Sequence, residues 1–246
     1  MSIHINYKKS STELIRSNLV LFIDENFNFS NLKKYISSSE FSYINDLLKT
    51  SDLKKNLFVF ELNSKKKIVL ISIKNDLEVS DIENLGAEFY GHINHEKKSE
   101  YSINSDCISN KYENFIGFFL HGLKLKSYEF NVYKSKMEQK LISINVIGNK
   151  KKATIQNEPR FKALEEGTFF ARDLVSEPPN VLNPKEYSKR LLKLRKLGIK
   201  VTVYNESQMK KLGMHSLLGV GRGSVNESFL VTLEWNGNKK DKKAPL

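Results

Sequence analysis

Four short and almost wholly apolar runs place the tightest constraint on what this chain can fold into. They are residues 18–23 (NLVLFI), 57–62 (LFVFEL), 68–73 (IVLISI) and 141–147 (LISINVI). Runs of this length with little polar alternation are typical of strands that are covered on both faces. The chain therefore needs helices on both sides of a buried sheet.

Helical periodicity fills the intervals between these runs. Residues 80–83 (SDIE) have the pattern of a capping box, and an apolar stripe follows at Ile82, Leu85, Phe89 and Ile93. A second stripe at helical spacing consists of Tyr112, Phe115, Ile116, Phe119, Leu120 and Leu123. Helices that alternate with buried strands predict an α/β layer structure with a mixed or parallel sheet.

The second half of the chain begins at a polar block, residues 148–157 (GNKKKATIQN), which indicates a domain edge. Asn157 and Pro159 then fit the start of a connecting helix that runs to the break imposed by Pro178 and Pro179. We therefore predict an amino-terminal α/β domain over residues 1–155, a connecting helix over 156–177 and a second α/β region over 178–246.

That second region repeats the alternation of helix and strand. Asn183 and Pro184 open a helix, Gly198 ends it, and its predicted buried stripe is Tyr187, Leu191 and Leu194. A strand over 199–204 (IKVTVY), a short helix over 206–212 and a strand over 229–235 (FLVTLEW) follow.

The net charge of +12 raises the possibility of a nucleic-acid partner. The lysines are dispersed in pairs and triplets along the chain, however, and arginine, which suits bidentate phosphate recognition, is scarce. The single cysteine, Cys107, excludes an internal disulfide and is expected to be a packed or surface thiol. No run approaches the length of a membrane span, so we expect a cytoplasmic protein.

A cluster of glycines at residues 219–224 (GVGRGS) has the composition of a phosphate-binding loop. Its third glycine comes one residue too early for a dinucleotide fingerprint, and the segment after Ser224 predicts a turn and a strand instead of a helix. The pattern favours a turn that uses the tolerance of glycine for positive φ.

Several other polar residues have the types that bind metals or nucleic acid, but each also has an ordinary structural explanation. Glu88, His92 and His95 share a helical face at metal-ligand spacing, although a solvated face explains them adequately. We expect surface or core positions for three isolated histidines, His4, His121 and His215. We expect helix-start and solvent-face roles for Asp81, Glu83, Glu165 and Glu166. A basic helix face that could touch nucleic acid, but is by default solvated, comprises Lys189, Arg190, Lys193, Arg195 and Lys196.

Residues 171–180 (ARDLVSEPPN), followed by Pro184, resemble the signature that opens the catalytic domain of the leucyl aminopeptidase family. The resemblance continues through residues 206–213 (ESQMKKLG), the GVGRGS cluster as a turn into an early strand, and residues 226–228 (NES). Residues 119–134 (FLHGLKLKSYEFNVYK) are similar to the end of that family's amino-terminal domain. The resemblance implies a macro-domain-like amino-terminal domain, a connecting helix and an incomplete α/β catalytic domain.

The resemblance also implies an activity: removal of amino-terminal residues, preferentially leucine, from peptides by two bridged divalent ions, zinc or manganese. Members of the family are homohexamers. Their metal ligands and catalytic groups lie in a Gly-Lys-Gly strand, a Phe-Asp-x-Gly-Gly turn and an Asn-Thr-Asp-Ala-Glu-Gly-Arg segment.

None of these three segments occurs in the 246 residues. We therefore assign no catalytic, cofactor-binding or metal-binding residue, and expect the chain to bind no metal and to be inactive alone. We expect it to be the amino-terminal part of an aminopeptidase, because the sequence ends about where the Gly-Lys-Gly strand should begin. The alternatives are a DNA-binding protein that uses the basic amino-terminal domain, or a non-catalytic protein.

Overall fold

The computed structural model describes residues 2–8, 18–28, 30–53, 55–96, 98–108, 112–136, 140–148 and 155–237. The chain divides into two compact units, Met1–Phe169 and Phe170–Leu246. The predicted polar block at 148–157 lies partly outside the described residues, which omit 149–154.

The first unit alternates strands and helices along the chain. Its strands are β1 (Ser2–Lys8), β2 (Asn18–Asp24), β3 (Leu57–Asn63), β4 (Lys66–Ile73), β5 (Lys98–Asn104) and β6 (Leu141–Ile147). Its helices are α1 (Ser38–Lys49), α2 (Val79–Ile93) and α3 (Phe115–Lys126), and α4 (Glu158–Ser176) begins within it.

The strands form one mixed sheet in the order β1-β6-β5-β2-β4-β3. All neighbouring pairs are parallel except β3 and β4, which form an antiparallel pair. The central strand β2 pairs with β4 from Leu19, opposite Ile68, to Asp24, opposite Ile73. The predicted α/β class and the four apolar strands are confirmed.

Each face of the sheet carries its own hydrophobic core, because successive side chains of a strand point to opposite faces. Val20 and Phe22 of β2 belong to a cluster with residues of α2 and α3. Leu19, Leu21 and Ile23 belong to a second cluster with residues of α1. Burial on both faces explains why β2 shows no polar alternation.

In the first unit, two of the described strands and one of the described α-helices were not predicted. In β1 (SIHINYK) the apolar residues alternate with polar ones, and β5 (KSEYSIN) is largely polar although most of it is buried. Helix α1 begins with a capping box in which Ser37 Oγ accepts a hydrogen bond from the Glu40 N–H and the Glu40 carboxylate accepts one from the Ser37 N–H. These signals are short and polar, so apolar runs do not reveal them.

The two predicted stripes are buried, but their helices begin elsewhere than expected. The N-cap of α2 is Glu78, whose N–H donates to Asp81 Oδ2 at 2.9 Å, so the predicted start at Ser80 is wrong by two residues. Helix α3 begins at Phe115, so Tyr112 precedes it and is only half-buried, while the other five residues of the stripe are buried.

Helices α2 and α3 pack unusually closely because each contributes a glycine to the contact. A Cβ atom on Gly86 would overlap the Phe119 carbonyl oxygen, and one on Gly122 would overlap the Glu83 carbonyl oxygen. The close approach brings Phe89 and Phe119 to a ring-centroid distance of 5.8 Å above the sheet. Backbone contact of this kind admits no larger residue.

The second unit contains shorter elements. They are α5 (Pro184–Leu192), a 3₁₀ helix (Lys193–Leu197), β7 (Lys200–Tyr204), α6 (Glu206–Lys211), α7 (His215–Gly221) and β8 (Leu230–Glu234). Strands β7 and β8 form a two-stranded antiparallel sheet.

Most of the predictions for this unit are confirmed. Asn183 Oδ1 accepts a hydrogen bond from the Glu186 N–H at 3.0 Å as the N-cap of α5, and Gly198 ends the 3₁₀ helix with a φ of 84°. The predicted buried stripe is confirmed only in part, however. Leu191 is buried as predicted, but Tyr187 is 41% exposed and its neighbour Ser188 is buried in its place. Leu194 lies in the following 3₁₀ helix and is partly buried.

Candidate functional site

The signature segment 171–180 folds as the end of α4 and a tight turn into α5. Glu177 follows α4, and its nearly buried carboxylate accepts a hydrogen bond from Arg190 Nη1 at 2.6 Å. The N–H groups of Val181 and Leu182 both donate to the Pro178 carbonyl, at 3.0 and 2.9 Å. The signature therefore fixes the entry to α5 through an ion pair and a turn.

The predicted basic helix face is only partly available to a partner. Besides Glu177, Arg190 contacts Glu186 at 3.4 Å, and Arg195 Nε donates to the Val201 carbonyl at 3.0 Å. Both guanidinium groups are thus held by the protein itself. Lys189, Lys193 and Lys196 remain exposed, as expected of a solvated face.

The glycine cluster lies at the end of a helix, since α7 includes Gly219 and ends at Gly221. The predicted positive φ is wrong for Gly219, Gly221 and Gly223, because the glycines with positive φ in the described ranges are others: Gly148, Gly198 and Gly213. Ser228 Oγ lies close to Gly221, so a Cβ atom at Gly221 would make the Ser228 side chain move. The chain then leads into β8, as predicted, and α7 presents its carboxyl end to the cluster. This geometry offers no helix amino terminus for a phosphate.

Glu88, His92 and His95 are all exposed, and His95 lies beyond the end of α2. In the part of the chain that the structure describes, no three His, Cys, Asp or Glu side chains are placed to share a metal ion. The three residues thus lie on the exposed face of α2 and just beyond its end, in agreement with the structural interpretation of this face.

His121 is the one isolated histidine among the described residues that enters a core. It is 5% exposed, and its Nδ1 lies 2.8 Å from Glu83 Oε1, so Nδ1–H donates to the carboxylate. The Phe161 ring is 5.2 Å away, and Nε2 is buried with no hydrogen-bond partner. Glu83, whose side chain is 30% exposed, therefore pairs with His121 and does not close the capping box predicted for residues 80–83. His4 and His215 are exposed, as expected.

A second buried carboxylate lies on α4. Glu165 is 9% exposed and accepts a hydrogen bond from Lys124 Nζ at 3.2 Å, so its predicted solvent-face role is wrong. Glu166 is exposed near Lys162, as expected, and Asp81 has the predicted helix-start role. The hydrogen bonds of Glu83 and Glu165 join helices within the first unit.

Cys107 ends the 3₁₀ helix after β5 and is partly buried. Burial is the main reason why the pKa of its thiol is raised to about 12. Because the thiolate is the nucleophile, a thiol that stays protonated at neutral pH is unsuited to catalysis. The sequence left a packed and a surface position open for this thiol, and the structure shows it packed.

Known proteins resemble this chain in both sequence and fold. Residues 169–246 match the sequence profile of the cytosol aminopeptidase family, catalytic domain. The predicted resemblance to this family is confirmed. The signature segment lies inside the matched region, so the turn and the ion pair described above belong to the part of this chain that is similar to that catalytic domain.

Curated cytosol aminopeptidases align with about half of this chain. The probable cytosol aminopeptidase of Sinorhizobium fredii is 40% identical over 132 residues, which make up 50% of this chain and 27% of the relative. That of a Chelativorans species is 43% identical over 131 residues, or 50% and 26% of the two chains. The match thus spans about a quarter of the length of these cytosol aminopeptidases.

Solved structures share the fold over almost the whole chain. A tomato leucine aminopeptidase mutant superposes with a TM-score of 0.72 at 18% identity, covering 98% of this chain and 52% of that one. The cytosol aminopeptidase of Coxiella burnetii superposes with a TM-score of 0.63 at 15% identity, covering 96% and 47%. The fold of a cytosol aminopeptidase therefore extends to the first unit, where the sequence resemblance is weakest.

The sequence analysis did not predict the contact between Glu83 and His121, although it left a signal. Glu83 and His121 both lie within or beside the apolar stripes of their helices, where a lone polar residue needs a partner.

Among the described helices, none is long and apolar enough to cross a membrane.

Proposed function

We propose that the protein carrying these residues is a leucyl aminopeptidase that releases amino-terminal residues from peptides. The observation that carries the proposal is the match of residues 169–246 to the catalytic domain of that family. The superposition on a leucine aminopeptidase over 98% of the chain supports it independently of sequence, because the identity there is only 18%.

The chemistry that the family implies depends on two divalent ions, which supply a hydroxide-like nucleophile and polarise the peptide carbonyl. The described residues do not fit such ions, because they contain no cluster of three or more His, Cys, Asp or Glu side chains. We therefore derive no catalytic step from them. We propose that the metal ligands lie outside the 246 residues, in the three segments that the sequence lacks.

The experiment compares this chain with the protein obtained by reading the coding sequence past Leu246. We expect the 246-residue chain to leave leucine p-nitroanilide intact with added Mn²⁺, since the ligands are missing. We expect the longer product to hydrolyse it and to lose activity in a chelator. Metal-dependent turnover by the purified 246-residue chain would overturn the placement of the ligands.

A stop codon directly after Leu246 in clean reads would overturn the longer protein itself. In that case the 246 residues would be a complete chain without the catalytic segments.

We further propose that the longer protein is a cytoplasmic homohexamer, as the family resemblance suggests. Light scattering on the purified protein tests this by mass. For nucleic acid we expect at most weak binding that falls steeply with salt, because the lysines are dispersed and Arg190 and Arg195 are held within the protein.

A further inference from the structure

A cleft of about 450 Å³ opens at the carboxyl edge of the six-stranded sheet. The parallel strands β2, β4 and β5 end there side by side, so the residues that follow them line the cleft. Asp24 ends β2, Lys74 follows β4, and Asp106 lies in the 3₁₀ helix that follows β5. The volume is within the range of small-molecule sites, roughly 300–1,000 Å³.

The chain turns in opposite directions on the two sides of this cleft. From β2 it proceeds through α1 and β3 to β4 on one side, whereas from β5 it proceeds through α3 to β6 on the other. The connections therefore diverge between β2 and β5. Open α/β sheets bind ligands at the carboxyl ends of strands where connections diverge in this way.

The lining of the cleft combines an apolar floor with both signs of charge. Phe22, Ile73 and Ile108 are buried residues of the floor. The charged residues of the lining are two acids, Asp24 and Asp106, and two lysines, Lys34 and Lys74. Their formal charges cancel, so a ligand with a large net charge of either sign is disfavoured.

The carboxylate of Asp24 is held in place at the end of β2. Its Oδ1 accepts hydrogen bonds from the N–H groups of Asn26 and Asn28, at 3.1 and 3.0 Å. The ammonium group of Lys34 lies 4.8 Å from the centre of the Tyr35 ring, which also lines the cleft. The lining thus carries a negative charge at the end of β2 and a positive charge on the last residue of the 3₁₀ helix Ser30–Lys34.

Two other ligand classes fit this lining poorly. A phosphate would meet two carboxylates and no arginine, and the amino terminus of α1 is occupied by its own capping box of Ser37 and Glu40. A divalent cation would find no group of three acidic or histidine ligands among the described residues. A molecule that carries one positive and one negative group beside an apolar part satisfies every feature of the lining.

We propose that this cleft binds a free α-amino acid with an apolar side chain. The ammonium group is directed to Asp24 and Asp106, the carboxylate to Lys34 and Lys74, and the side chain to the floor. The proposal goes beyond peptide hydrolysis, since the cleft lies wholly within the first unit and uses no metal ion.

The test is calorimetric titration of the 246-residue chain with L-leucine in the presence of EDTA, which separates this binding from any metal-dependent activity. We expect saturable binding. Leucinamide lacks the carboxylate and 4-methylpentanoate lacks the ammonium group, so each is expected to bind at least tenfold more weakly. Glycine, which has no side chain for the floor, is also expected to bind more weakly.

Matched variants locate the site. Lys74→Gln and Asp106→Asn should each weaken leucine binding at least tenfold, while Lys55→Gln and Asp46→Asn, at exposed positions outside the cleft, should leave it unchanged. Lys74 is exposed, so its variant is expected to fold normally, which a thermal melt checks.

Three results would overturn the proposal. They are the absence of leucine binding, equal binding by all four variants, and tighter binding of ADP than of leucine. None of these results bears on the aminopeptidase activity, which is measured separately on the longer, metal-loaded protein.

Discussion

At the scale of single residues, two buried polar groups of the first unit, His121 and Glu165, connect helices. Glu83 of α2 binds His121 of α3, and Glu165 of α4 binds Lys124 of α3. A buried donor that loses its partner keeps the full cost of its desolvation, which makes these pairs sensitive to change.

Glu83→Ala is expected to destabilise the protein by about 1–3 kcal/mol, because it leaves the buried His121 Nδ1–H without an acceptor. Glu83→Gln should cost less, since its amide oxygen can still accept the hydrogen bond. Urea unfolding measures both, with Asp46→Ala in an exposed pair as the control. Equal effects of the Ala and Gln variants would show that the hydrogen bond is not responsible.

Cys107 gives the folded protein a specific sensitivity to alkali. Its folded pKa is raised to about 12 by burial, so the folded state retains the proton while the unfolded thiol loses it. The free energy of unfolding is therefore expected to fall as the pH rises through the unfolded pKa, about 8.5.

Between pH 7.5 and 9.5 the expected contribution of Cys107 to this loss is about 1.4 kcal/mol. The contribution should be absent in Cys107→Ala, which retains the tyrosines whose pKa values are also raised by burial, Tyr7, Tyr90 and Tyr101. Urea unfolding of both proteins at the two pH values measures the difference. Parallel pH profiles would contradict the assignment.

At the scale of elements, the contact between α2 and α3 depends on two glycines. Gly86→Ala and Gly122→Ala each place a methyl group against backbone of the facing helix, which cannot move like a side chain. Each is expected to destabilise the protein by about 2–3 kcal/mol.

Gly91→Ala is the matched control, because it lies on α2 with open space around the new Cβ atom. There alanine should stabilise the helix by up to about 1 kcal/mol. Thermal unfolding of the three variants distinguishes the cases. Destabilisation by all three to the same extent would point to a cause other than the helix contact.

At the scale of the whole molecule, the two units differ in how their strands are supported. The first has a six-stranded sheet with a hydrophobic core on each face, whereas the strands described in the second unit, up to residue 237, are the pair β7 and β8. In the pair formed by β7 and β8, Leu233 is 51% exposed, and Trp235, just after β8, is 73% exposed. An isolated two-stranded sheet is marginally stable in water.

Backbone amides of β7 and β8 are therefore expected to exchange hydrogen at least a hundredfold faster than those of β2 and β4 in the 246-residue chain, since local opening costs least where few apolar contacts form. Hydrogen exchange followed by mass spectrometry of peptides from each strand measures this. Equal protection of the two sheets would contradict the difference in stability.

The sequence predicted the elements whose signal is local and apolar. Strands β2, β3, β4 and β6 and the stripes of α2 and α3 follow from hydrophobic runs and helical spacing. The polar strand β5 could not be predicted in this way. Ser102 and Asn104 are buried because β5 lies between β2 and β6, and this burial is specified by the neighbouring strands and not by the local sequence. The absence of the family's three metal-binding segments could likewise be read directly from the sequence.

The sequence alone thus determined the α/β class, the caps at Asn183 and Gly198 and the resemblance of its second half to an aminopeptidase. These are properties of neighbouring residues, and propensity, periodicity and motif spacing act over short distances along the chain. Only the tertiary structure decided the strand order, the hydrogen bonds of Glu83 and Glu165 and the cleft at the carboxyl edge. Each of these joins groups far apart in sequence, and long-range packing, rather than local preference, selects which of them meet.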